Sequence, residues 1–213
     1  MSAKTPVRRA LVSAMAVSTS VGMMSAGAAE VADHPNWKVG DRWTFTETSS
    51  PPPKDQKWTR EVVEVIPNGR LKVALGEAGK TAEFDAETNS LDARGPEYSW
   101  RRFKFPMSVG ASWNYERKIG GDRPGSEQAT WKVAAYEKVT VPAGTFDCFR
   151  VEGETFRSRE SPNPKYSKGS TTATYWYCPS VKWAAKWESE DIAYFGAAPV
   201  HTSSVLVSFE QKP

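Results

Sequence analysis

Two cysteines and two histidines are the residues in this 213-residue chain whose types most readily do chemistry, and their spacing narrows what that chemistry is. Cys148 and Cys178 stand thirty positions apart, unlike the Cys-x-x-Cys pair at a helix start that tunes a redox thiol, so they are expected to close one structural disulfide. His34 and His201 are too few and too widely spaced to build a metal centre, and no metal is expected. No Gly-x-Ser-x-Gly elbow, His-Glu-x-x-His helix or phosphate-cradling loop occurs, so no catalytic residue and no cofactor is assigned. Acids remain. Glu152, Glu154, Glu188 and Glu190 fall in or near strand-like runs, and glycoside hydrolysis needs only two carboxylates whose separation is set by the fold.

Aromatic side chains are the other resource, with nine Trp, nine Phe and seven Tyr. Trp43, Trp113, Tyr115, Trp176, Trp183 and Trp187 form the candidate ligand-binding set, able to line a concave face for an apolar or sugar ligand and equally able to serve as core. Trp100-Arg101-Arg102-Phe103-Lys104-Phe105 interleaves rings with bases, as platforms for single-stranded nucleic acid do. Strand alternation offers a simpler account, with Phe103 and Phe105 inward and Arg102 and Lys104 in water, and no nucleic-acid partner is expected.

The elements that must position these residues are strands. Val139 to Glu152 reads as strand, turn, strand, because Pro142 presets φ at the second turn position and Gly144 fits the fourth. Asn36 to Thr48 turns and enters a strand in which Trp43 and Phe45 share one face, and Trp58 to Ile66 and Arg70 to Leu75 are strand-like, joined at Ile66-Pro67-Asn68-Gly69 by a turn of the same kind. Val-Gly-x-x-Trp at 39–43 recurs at 109–113, followed again by a loop, a Trp-led strand (Trp58, then Trp131) and a Pro-x-Gly turn. Residues 37–76 and 107–154 are therefore read as two copies of one module. Lys80 to Phe84 and Tyr98 to Phe105 are shorter strand candidates, and Ser158 to Gly169 is a loop. In Ser170 to Cys178, Lys182 to Glu190 and His201 to Glu210 the period is two, which puts Trp183, Ala185 and Trp187 on one buried face and Val205, Val207 and Phe209 on another. One short helix is allowed, near Asp191 to Gly196. The expected fold is all-β: a single strongly curved antiparallel sheet of about ten strands, a half-barrel or open barrel, since strands joined by hairpins accumulate twist and must curl.

Residues 1–28 have the three parts of a secretory signal, with Lys4, Arg8 and Arg9, an apolar run from Ala10, and Ala26-Gly27-Ala28 before the cleavage site. Their removal takes away three basic groups and no acidic ones, leaving 25 of each sign in a single mature domain, 29–213. A neutral chain lacks the excess positive charge of nucleic-acid binders. The expected address is periplasmic or secreted, not membrane-spanning after cleavage.

Val-Gly-x-x-Trp, Val141-Pro142-Ala143-Gly144-Thr145-Phe146 and Tyr175-Trp176-Tyr177-Cys178-Pro179-Ser180-Val181 together resemble a family of exported bacterial proteins of unknown function. That family is similar in turn to the periplasmic lipoprotein-carrier superfamily, whose half-barrel sheet holds acyl chains. The resemblance covers Gly110 to Glu188 and implies consecutive strands of one sheet. The functional expectation is a non-catalytic binding or carrier-like protein for an apolar, lipid-like or envelope-derived ligand. The alternative is a structural or assembly component of the envelope acting through protein partners, and the third reading is a hydrolase using the strand carboxylates.

Overall fold

The structure, a computed structural model, describes residues 30–76 and 79–213; the leader assigned to 1–28 lies outside them. Ten strands form one antiparallel sheet. In chain order they are β2 (Arg42–Ser50), β3 (Lys54–Val65), β4 (Leu71–Leu75), β5 (Lys80–Phe84), β7 (Ser112–Ile119), β8 (Gly125–Val141), β9 (Gly144–Arg159), β10 (Lys168–Cys178), β11 (Trp183–Ile192) and β12 (Val200–Glu210). Across the sheet the order is β5-β4-β3-β2-β12-β11-β10-β9-β8-β7, and a separate two-stranded piece pairs β1 (Val31–Ala32) with β6 (Met107–Ser108).

The sheet is bent hard and left open, with β5 and β7 as its edges. Phe84 on β5 lies five strand positions from Trp183 on β11, about 24 Å across a flat sheet. Their ring centroids are 5.4 Å apart. At the same end Ala143, in the β8–β9 turn, donates its N–H to the Leu206 carbonyl of β12 at 3.2 Å. This end is closed by packing. Trp37, Trp43 and Trp183 meet with centroids 5.4 to 5.7 Å apart, and the Trp43 indole N–H donates to the Val181 carbonyl at 2.8 Å. Asp41 is fully buried and ties three segments: it accepts from the Lys38 and Lys212 backbone N–H groups at 3.0 and 2.9 Å and pairs with Lys182 Nζ at 2.8 Å. The Cys148–Cys178 disulfide links β9 to its neighbour β10 with Cα atoms 4.1 Å apart.

Residues 85–106 turn back along β5, where Ser90 bridges Phe84 and the Leu91 N–H donates to the Glu83 carbonyl at 2.8 Å, and then cross the inner face of the sheet without adding a strand. Tyr98 to Phe105, a strand candidate by pattern, makes no ladder: Tyr98 ends a short 3-10 helix, Pro96–Tyr98, and Trp100 to Lys104 run on as irregular chain. The side chain of Asn89 supplies what a neighbouring strand would, accepting from the Phe103 N–H at 2.8 Å and donating to the Phe103 carbonyl at 2.9 Å. Trp113 Nε1 donates to the Arg101 carbonyl at 2.9 Å, and Phe103 and Phe105 are buried against Tyr177.

Other readings change in detail. Asp191 and Ile192 end β11 and a turn follows, so no helix forms there and no α-helix occurs among the described residues. The two Pro-x-Gly turns differ by one residue: Val141 pairs directly with Gly144, whereas Ile66 N–H bonds the Arg70 carbonyl around a three-residue loop. Asn68 and Gly69 make the longer loop possible by taking φ of 68° and 75°. On β12 the buried side chains are Ser204 and Leu206, not Val205 and Val207, because the strand shifts register between Leu206 and Ser208. A bulge of the same kind leaves Ala185 between the Tyr177↔Ala184 and Trp176↔Lys186 pairs.

The places where Val-Gly-x-x-Trp recurs share their hydrogen bonds. Gly40 N–H donates to Val62 and Val62 to Asp41; Gly110 N–H donates to Val133 and Val133 to Ala111, all at 2.8 to 2.9 Å. Both glycines sit at φ near 90°, which a side chain would oppose. Register places Trp131 opposite Trp113 and Arg60 opposite Trp43, so Trp131 corresponds in position to Arg60, two residues beyond Trp58.

Candidate functional site

Above the packed end, the crossing segment leaves a cavity of about 730 Å³ on the concave face. Its walls come from β2–β5 on one side and β8–β11 on the other, with Trp100 and Phe103 of the crossing segment between them. One patch is shaped by a glycine. Trp131 lies flat over Gly153 of the next strand, where an added Cβ would sit 2.1 Å from the indole, so only glycine lets the ring lie down.

Arg60 distinguishes this cavity from ordinary core. Its guanidinium lies 4.8 to 5.4 Å from the centroids of Trp183, Trp58 and Phe84, within cation–π range of all three. Its Nε is buried without a hydrogen-bond partner. Burial, and then the neighbouring Arg102 guanidinium, lower its pKa to about 10, so it is charged at neutral pH. Arg102 stacks 4.2 Å from Trp100 and 5.7 Å from Tyr175. The wall also carries Glu47, held by Gln56 at 2.6 Å, and the pair Arg157–Asp191 at 2.7 Å. Thr88 adds an unpartnered buried hydroxyl from a left-handed backbone, φ 64°, which is unusual for a β-branched residue.

The six aromatics singled out in the sequence divide. Trp183 and Trp187 line the cavity. Trp43 belongs to the packed end, and Trp113 and Tyr115 are buried on β7. Trp176 lies on the opposite face from its neighbours Tyr175 and Tyr177 and donates its indole N–H to Glu137 at 2.8 Å. Trp58, Trp100, Trp131 and Tyr175, with Phe45, Phe84 and Phe103, line the same walls and lie outside the set that the sequence pattern offers. Arg60 and Arg102 also lie outside that set; alternation would put Arg102 in water, but the crossing segment is not a strand and lays it along Trp100.

The four acids lie together on the outer face. Glu152 and Glu188 flank Thr174, and Glu154 and Glu190 flank Thr172, each pair two strands or roughly 9 to 10 Å apart along the backbone. They border an open, hydroxyl-rich cleft of about 790 Å³. Lys132 meets Glu152 at 3.0 Å, Lys186 meets Glu188 at 2.8 Å and His201 meets Glu190 at 3.5 Å.

No family model matches this chain, and no curated protein matches it. Solved structures similar to it include a Bacteroides fragilis protein described as exported and of YmcC-like fold, with 15% identity over 86% of this chain and all of that one, TM-score 0.44. A lipoprotein by description from Parabacteroides distasonis has 14% identity over 85% of this chain and all of that one, TM-score 0.44. The hypothetical lipoprotein YmcC from Escherichia coli K12 has 11% identity over 81% of this chain and 85% of its own, TM-score 0.45. At that level of likeness, function has to be read from this chain's own residues.

Proposed function

We propose that this is a non-catalytic binding protein of the cell envelope that holds an apolar or amphiphilic ligand in the inner cavity. The observation that carries the reading is the cavity of about 730 Å³, walled by large aromatic rings and left where the crossing segment fills only part of the concave face. Its volume is in the range that takes one small ligand, and its mixture of rings with a few polar groups is the usual make-up of such sites. The leader-like start and the disulfide fit an oxidising compartment outside the cytoplasm. Native mass spectrometry of protein purified without denaturant from its own envelope is expected to show a bound mass. Ser189→Phe, which places a ring in the cavity, is expected to remove it. Unliganded mass together with no fluorescence response to added lipids sinks the reading, and crosslinking that recovers one dominant protein partner would then favour an assembly role.

A second reading attaches to the outer cleft, because the fold gathers Glu152, Glu154, Glu188 and Glu190 around one hydroxyl-rich surface. Two carboxylates and bound hydroxyls are what a glycoside hydrolase requires. Hydrolysis of a member of a broad glycoside panel, abolished by Glu188→Gln or Glu152→Gln, would establish it; a silent panel removes it.

A further inference from the structure

The buried and half-buried cations of the inner face divide into two groups. Arg117, Arg157 and Lys182 each hold a carboxylate, at 2.9, 2.7 and 2.8 Å. Arg60 and Arg102 form no ion pair and donate no side-chain hydrogen bond among the described residues, and both line the cavity. The reason is visible in the register: Arg60 stands between Trp43 on β2 and Leu75 on β4, neither of which can accept. The rings around it favour a cation, yet they offer no acceptor to its five N–H donors. Glu47, the remaining carboxylate of the wall, is held by Gln56 and lies outside ion-pair distance of both arginines. With Arg157 and Asp191 cancelling and Glu47 offsetting one of the two arginines, the cavity keeps one positive charge in excess. A low-dielectric, ring-lined site with an unmatched guanidinium favours an anion far more than water does.

We propose that the ligand is an amphiphile with an anionic oxygen head, a carboxylate or phosphate, whose head is received by Arg60 with Arg102 while its apolar chain lies among Trp58, Trp131, Tyr175 and Trp187. This rests on the reading that the inner cavity binds a ligand and names that ligand's chemical class. The buried Thr88 hydroxyl, without a partner, is a further donor available to the head. The guanidinium fork meets two oxygens at once, which a hydroxyl head cannot reproduce.

The test compares heads on one chain. Dodecanoate, dodecyl phosphate, dodecanol and dodecyltrimethylammonium are titrated by tryptophan fluorescence and calorimetry, with acetate and inorganic phosphate as heads without a chain. The two anionic amphiphiles are expected to bind at least about tenfold more tightly than the alcohol, the size of one charged hydrogen bond. The cationic amphiphile is expected to bind more weakly than the alcohol, and the chainless anions to fail at millimolar concentration. Arg60→Met should remove the tenfold preference and leave the alcohol's affinity in place, and Arg102→Gln should reduce the preference severalfold. Equal affinity for acid and alcohol in the natural protein, or a preference that survives both substitutions, overturns the assignment of the head while leaving a binding cavity. Binding of the chainless anions as tightly as the amphiphiles overturns it in favour of a simple anion site. If none of the six binds, the binding reading falls with it. Should Arg60→Met not fold, the comparison of heads on the natural protein and on Arg102→Gln decides alone.

Discussion

Arg60 and Arg117 are both inner-face arginines packed on tryptophan, and they are treated in opposite ways. Arg117 lies 3.5 Å from the Trp100 ring and makes two hydrogen bonds to fully buried Glu127, at 2.9 and 3.1 Å. Arg60 has three rings and no carboxylate. The difference comes down to one cross-strand neighbour. Glu127 stands directly opposite Arg117 on β8, and Leu75 stands directly opposite Arg60 on β4. A satisfied pair fixes structure; an unsatisfied donor costs free energy unless something else completes it. One guanidinium is therefore part of the scaffold and the other is a group held ready.

The largest expected effect breaks the scaffold side. Arg117→Met leaves Glu127 buried and uncompensated, which should lower stability by about 3 to 5 kcal/mol in denaturant titrations, while Arg117→Met with Glu127→Leu should recover most of it. A single substitution costing under about 1 kcal/mol would mean the two arginines are not different in kind. The disulfide gives a scale for the comparison, since it is a rigid tie that carries no charge. Cys148→Ala or Cys178→Ala should cost roughly 2 to 4 kcal/mol, the range for closing a loop of thirty residues, without altering which head the cavity prefers. Identical melting with and without reductant would contradict this.

The ready side should behave otherwise. Arg60→Met is expected to change stability by less than about 1 kcal/mol in either direction, because ring packing with a flexible apolar chain replaces the cation–π contacts. Leu75→Glu sharpens the point by rebuilding the Arg117–Glu127 arrangement around Arg60. It should keep the fold and abolish the preference for anionic over neutral amphiphiles, as read by the same titrations. A preference that persists would show that the head is held elsewhere.

Much of this scaffold was legible in the sequence, and the reason is that its signals are local. Pro142 and Gly144 specify a hairpin, alternation specifies faces where no bulge shifts the register as one does on β12, and two cysteines without a redox motif specify a disulfide. Trp176 could have been separated from the ligand set by the same rule, since it sits between Tyr175 and Tyr177 and must point the other way. The crossing segment is not legible, because its backbone is held by scattered side chains, Asn89 on Phe103, Glu87 on Phe105 and Trp113 on Arg101, and not by a strand. Nor is Arg60. Its neighbours Trp58 and Phe84 are near in sequence, but Trp183 is brought to it only by the curl of the sheet, and the absence of a counter-ion depends on the register of β3 against β4. Isolated strand patterns carry no information about either.

The smallest expected effect concerns the loop that delivers the crossing segment. Asp85 accepts the Glu87 and Asn89 backbone N–H groups at 3.0 and 2.8 Å, and Asn89 in turn holds Phe103. Burial outweighs those donors and raises the Asp85 carboxyl above its ordinary range. The folded chain therefore binds this proton more tightly than the unfolded chain does. The stabilisation from protonating Asp85 is full below the ordinary carboxylate pKa and is lost as pH rises through the raised one. Asp85→Asn keeps the accepting oxygen and removes the charge. It should flatten the pH dependence of stability across that window and raise stability at neutral pH by less than about 1 kcal/mol, given the partial exposure of the site. A variant that is instead destabilised at neutral pH would show that the ionised carboxylate is needed to brace the segment, and would place the loop with Arg117 among the groups that fix the scaffold.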